Sequence, residues 1–160
     1  MPGVLLLWAL SSFLMVHTAL DVNGRATLPT ENFLRSGSGR VLDIGAGTGR
    51  SSLMVLEARP QVRLVALDLF GDSYDMHFGK GLSPEQRLMA NLRAAGVDQR
   101  ASIAKGDMRE LPYPAASFDG VVSSFAMDHL NREGSTKSIQ EAARVLKPGG
   151  EFLLTVFAKD

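Results

Sequence analysis

The sequence predicts an α/β fold: a doubly wound, mostly parallel sheet preceded by an apolar N-terminal helix. Three observations carry that expectation. From residue 40 onward, short apolar strand-like runs alternate with helical ones, the pattern of parallel strands joined by crossover helices. The first two runs carry acids near their carboxyl ends, Asp43 and Asp68. The first run also passes directly into a turn with glycine at 45, 47 and 49, and then into a helix. Glycine removes side chains there, so a ligand can lie against bare backbone while the N–H groups of the helix point at it.

Composition bounds the function classes. The chain has 160 residues, one domain by length and enough to bury a substantial core. Seventeen basic and seventeen acidic residues cancel, so no global field draws in nucleic acid, and no nucleic-acid partner is expected. The absence of cysteine excludes disulfides, zinc thiolates and a cysteine nucleophile.

Residues 1–20 form the expected apolar helix. Positions 4–20 (VLLLWALSSFLMVHTAL) contain no Asp, Glu, Lys or Arg, at the lower length limit for crossing a hydrocarbon core. No basic residue precedes them and no convincing small-x-small cleavage site follows, which disfavours a cleaved secretory signal. Two readings stand: a membrane anchor, or a helix packed on the domain or lying in the membrane interface. Residues 21–39, rich in Asn, Gly, Pro, Thr and Ser, read as a linker. Arg25, Arg35 and Arg40 against Asp21 and Glu31 would keep this side, and the domain that follows, in the cytoplasm. The domain itself is expected to span residues 40–160.

Residues 41–50 (VLDIGAGTGR) give the first strand and the glycine turn. Their spacing is G-x-G-x-G, not the G-x-G-x-x-G of dinucleotide sites. A carboxylate in the mouth of the turn, Asp43, would repel a pyrophosphate and suit a ligand bearing ammonium and sulfonium charge. The following helix covers 51–59 and stops at Pro60. Residues 62–68 (VRLVALD) form the second strand. Its terminal Asp68 lies where a ribose diol would cross the switch point of the sheet, or else caps the next segment.

Residues 70–82 (FGDSYDMHFGKGL) read as a long binding loop or lid. Tyr74, Asp75 and His77 are contact candidates there, with His77 a weak candidate base. Ser83, Pro84 and Gln86 announce a capped helix whose apolar face is Leu88, Met89, Leu92 and Ala95, ended by Gly96. A third strand at 101–105 leads to Gly106-Asp107-Met108, a fourth at 120–125 leads to Asp128-His129-Leu130, and a helix at 138–146 precedes the tight turn 147–150 and a fifth strand at 151–157.

Together, VLDIGAGTGR at 41–50, Asp107-Met108, Asp128-His129-Leu130 and RVLKPGG at 144–150 make the chain resemble the class I S-adenosylmethionine-dependent methyltransferases, and among them the small-molecule and quinone-type enzymes. That resemblance implies a Rossmann-like sheet in the order 3-2-1-4-5. It also implies S-adenosylmethionine contacts at Asp43, Gly45, Ala46, Gly47, Thr48, Gly49, Asp68, Leu69, Asp107, Met108 and Ser124. Asp107 would accept from the adenine amino group and the Met108 N–H would meet the ring. His129 would lie near the acceptor, as a general base or as a packing histidine. No metal is required, and the Asn-Pro-Pro-Tyr type sequence of base-methylating enzymes is missing. Family members continue with two more strands as an antiparallel hairpin, which is absent before Asp160. The chain then reads either as a fragment or as a sheet whose open edge is covered by a partner, a second copy or the N-terminal segment. The expected function is in-line methyl transfer to a small, apolar acceptor; the alternative is a non-catalytic cofactor-binding or interaction module.

Overall fold

A computed structural model of the chain describes residues 28–71 and 82–157. The apolar stretch 4–20, much of the expected lid, and with it Tyr74, Asp75 and His77, lie outside the described residues. Among the described residues, no helix is long and apolar enough to cross a membrane.

The chain order is β1 (Ser38–Ile44), α1 (Arg50–Ala58), β2 (Gln61–Asp68), α2 (Pro84–Ala94), β3 (Ala101–Lys105), β4 (Phe118–Ser124), α3 (Arg132–Val145) and β5 (Leu146–Thr155). Short 3-10 turns at Asp98–Arg100 and Met127–His129 lead into β3 and out of β4. The five strands pair in parallel in the order β3-β2-β1-β4-β5, as the family resemblance implies. The order reverses between β1 and β4, which opens a crevice at the carboxyl ends of the central strands.

Both faces of the central strands β1, β2 and β4 carry buried residues, which explains their near-continuous apolar runs. Side chains alternate between faces. Val41, Val62, Leu64 and Ala66 join Val55 and Leu56 of α1 and Leu88 and Leu92 of α2 in one core. Leu42, Ile44, Leu67 and Val121 join Ala142 and Val145 of α3 in the other. Ser83 caps α2 in a reciprocal box with Gln86, and Gly96, at φ +69°, ends its last turn.

Three elements differ from the expected ones. Residues 28–37, part of the segment read as a linker, are docked on the domain. Phe33 and Leu34 are buried in the first core, and Arg59 fixes them by donating to the Phe33, Leu34 and Glu31 carbonyls. Helix α3 begins at Arg132, six residues before the expected start, because Asn131 caps it by accepting from the Gly134 N–H. Polar residues 132–137 carry little apolar periodicity, so the cap sets the start. Finally, 147–150 is a bulge inside β5, not a turn before it. Leu146 pairs with Phe118 and Glu151 already pairs with Gly120, with Gly149 at φ +76° absorbing the extra residues.

Candidate active site

The site grows from the end of β1. Gly45 and Ala46 donate their N–H groups to the Leu67 carbonyl, at 2.8 and 3.1 Å, and the Gly49 N–H returns to the Ala46 carbonyl at 2.8 Å. The turn is thereby tied to the end of β2. Asp68 completes the tie: its Oδ2 accepts from the Gly47 N–H and its Oδ1 from the Phe70 N–H, both at 2.9 Å. From the other side, Asn91 of α2 donates to the Thr48 carbonyl at 2.8 Å.

The glycines at 45 and 49 answer to the protein's own packing. A Cβ at Gly45 would collide with the Ala126 Cβ and press on the Met108 Cε, and one at Gly49 would stand 2.5 Å from the Leu88 Cδ1. All three glycines of the turn have positive φ, at +74°, +56° and +95°, which favours glycine at each position.

Asp43 is not in the mouth of the turn, and this corrects its expected placement. Its side chain is fully buried and shares a face with Val41, beneath the first turn of α1. There it accepts from the Ser51 Oγ at 2.8 and 2.9 Å and from the Ser52 Oγ at 2.6 Å. Burial pushes its carboxyl up to about 6, against the lowering effect of the two serine hydroxyls, and the nearby Asp68 charge adds to the rise. Ser51 and Ser52 were not singled out by the sequence, although two polar residues opening an otherwise apolar helix, just past a buried acid, are the signal.

The other expected residues gather along the same carboxyl edge. Asp107 follows β3 and is fork-bonded to Arg109, with Nη2 to Oδ2 at 2.6 Å and Nε to both oxygens at 3.0 Å. That pairing holds its carboxyl below the ordinary value, and Arg109 is a second partner that the sequence reading missed. Met108 packs against the second core. Leu69, just past β2, is half exposed. Ser124 ends β4, and its buried Oγ has no hydrogen-bond partner among the described residues. His129 is exposed at the end of the one-turn helix after β4, whose first residue, Met127, is buried, and it follows Asp128, whose Oδ2 accepts from the Phe157 N–H at 3.1 Å.

Two non-glycine residues take left-handed backbone at this edge, Phe70 at φ +47° after β2 and Phe125 at φ +55° after β4. Strained residues of this kind collect where a site over-determines the chain path. The Phe125 ring packs on Phe157, centroids 4.6 Å apart. Among the described residues, no group of His, Asp or Glu side chains is placed to hold a metal ion.

The parallel order with its switch point, the G-x-G-x-G turn and the acids at successive strand ends define the fold of the S-adenosylmethionine-dependent methyltransferases. Comparison agrees, because a methyltransferase domain family matches residues 41–150. The chain belongs to that methyltransferase domain family. It is 33% identical over 118 residues to a demethylmenaquinone methyltransferase of Deinococcus radiodurans, covering 74% of this chain and 43% of that protein. It is 36% identical over 126 residues to the 27-O-demethylrifamycin SV methyltransferase of Amycolatopsis mediterranei, covering 78% and 40%. Among solved structures, a methyltransferase-like protein of Bacillus halodurans superposes with a TM-score of 0.59 at 28% identity, over 74% of this chain and 44% of that one. The [4+2]-cyclase SpnF superposes equally, at 0.59 and 25% identity, over 75% and 39%. The chain spans less than half the length of these relatives.

Proposed function

We propose that this chain is an S-adenosylmethionine-dependent methyltransferase acting on a small acceptor of apolar, quinone-like character. The observation that carries the reading is Ser124. A buried hydroxyl without a partner costs stability unless a ligand or water completes it, and this one lies at the carboxyl edge beside the glycine turn. The groups along the same edge suit a nucleoside in this reading: the backbone surface of Gly45, Ala46, Gly47, Thr48 and Gly49, acceptor carboxylates at Asp68 and Asp107, and apolar surface at Leu69 and Met108.

When bound, the cofactor supplies a methyl group on a positively charged sulfur. The chain's own residues bind and align. Asp68 holds the turn through Gly47 and keeps acceptor capacity for the ribose hydroxyls, since each carboxylate oxygen has more than one lone pair. Asp107, oriented by Arg109, faces the adenine amino group in this reading. Asp43 acts from beneath the turn as a positioning residue through Ser51 and Ser52. With a neutral thioether as leaving group, alignment and exclusion of water are the main demands. A base is needed only for a poor nucleophile such as a hydroxyl, and in this reading His129 is the candidate for that task.

The quinone-type acceptor rests on the names of the similar proteins, a demethylmenaquinone and a demethylrifamycin methyltransferase. Attachment to the cytoplasmic face of a membrane through residues 4–20 would bring an apolar acceptor within reach. Association of two copies along the outer edge of β5 is supported by the exposed Leu154 and Val156. Calorimetric titration with S-adenosylmethionine, followed by transfer of labelled methyl to demethylmenaquinone, tests the core of the reading. Absence of binding would overturn it. Fractionation without detergent and sedimentation velocity test the membrane and the dimer.

A second reading, a module of this fold that does not transfer methyl groups, is favoured by the similarity to the [4+2]-cyclase SpnF. Tight cofactor binding with no transfer to any quinone or hydroxylated acceptor would select it.

A further inference from the structure

At the end of the sheet opposite the glycine turn, a cavity of about 380 Å3 opens along the amino ends of β1, β2 and β3. Its wall includes Arg40, Arg63, Arg100, Gln61, Gln99 and Ser102, and no acid lines it. Arg40 and Arg63 are direct register partners on neighbouring parallel strands. Leu42 and Val65, two residues further along each strand, pack in the second core. Since residues two apart share a face, the two arginine side chains stand side by side on that face.

Both are exposed, so water screens their mutual repulsion, and an anion seated between them would be attracted by both. The described residues do not supply one, because neither guanidinium has a carboxylate partner among them. Asp119, whose side chain lies against Gly39, is engaged by the Arg40 backbone N–H at 2.8 Å and by the Lys147 Nζ at 2.7 Å. The Arg40 guanidinium is oriented by the Phe118 ring, 4.7 Å from its centroid, an attraction to the ring face that leaves the N–H fork free. Arg100 is immobilised by the Leu56, Arg59 and Val62 carbonyls. Ser102 and Gln61 add neutral hydrogen-bonding groups.

We infer that this cavity is a binding site for a small oxyanion, the phosphate or carboxylate group of a metabolite-sized ligand, clasped between Arg40 and Arg63. The guanidinium fork matches the geometry of such groups and binds them bidentately. The inference does not depend on methyl transfer, since the cavity and the glycine turn lie at opposite ends of the strands.

Amide NMR on the whole chain, titrated with inorganic phosphate against chloride at matched ionic strength, tests it. The expected result is saturable shifts at residues 61–65 and 99–102, with R63Q and R40Q each weakening phosphate binding at least tenfold. S-adenosylmethionine affinity should stay unchanged in R63Q, which separates this site from the one at the glycine turn. Equal phosphate affinity in wild type and R63Q, shifts that vanish at matched ionic strength, or shifts confined to residues 45–49 would each overturn it. Binding to phosphatidylglycerol vesicles with none to free phosphate would overturn the small-ligand site in favour of a lipid headgroup.

Discussion

Asp68 Oδ2 accepts the Gly47 N–H at 2.9 Å, so the tip of one strand dictates the path of the turn that leaves its neighbour. The same carboxylate takes the Phe70 N–H on its other oxygen, fixing the left-handed residue that opens the way to residues 72–81. Two backbone segments of the site thus depend on one side chain.

Replacing Asp68 by Ala should therefore weaken S-adenosylmethionine binding by about 1–3 kcal/mol, the cost of leaving hydrogen-bonding groups unmatched. Calorimetric titration reads this directly. Affinity equal to wild type would remove Asp68 from the site.

Ser124→Ala should separate stability from binding. Removing a buried hydroxyl that has no partner should leave the ligand-free protein as stable or more stable by up to about 1 kcal/mol, while cofactor affinity falls. Urea unfolding and calorimetry on the same variant check both halves, and a loss of stability without loss of affinity would contradict the assignment.

Asp43 gives a pH signature. Its carboxyl is raised from 3.8 to about 6 in the folded chain, so the native state binds the proton more tightly than the unfolded one. The stability it contributes is fully present below about pH 4 and is lost as pH rises through about 6. Asp43→Asn removes this titration. Across that window, wild type should lose about 3 kcal/mol relative to the variant as pH is raised, on the order of two pKa units of linkage. Urea midpoints for both proteins at pH 4.5 and 7.5 capture about 2 kcal/mol of that difference, and parallel pH profiles would exclude a buried, raised Asp43.

Gly45→Ala should disrupt the turn itself. The added Cβ meets Ala126 in a left-handed conformation at φ +74°, combining overpacking with backbone strain, and a loss of at least about 2 kcal/mol is expected. Denaturant unfolding would show it. A variant as stable as wild type would mean that the 125–127 segment does not close over the turn.

The sequence by itself determined the parallel sheet, its crossovers and the line of acids, because burial on both faces imposes apolar runs and the switch point requires a turn with little side chain. The capped start of α2 was equally legible, since a Ser-Pro-Glu-Gln run satisfies its own helix terminus locally. Only the tertiary structure decided where Asp43 points, because the face of a strand acquires a meaning once α1 lies over it and brings Ser51 and Ser52 to the carboxylate. The same holds for the bulge at 147–150, set by register with β4, and for the Arg40 and Arg63 pair. Those two residues lie far apart in the chain, and it is the hydrogen-bonded register of β1 against β2 that makes them neighbours.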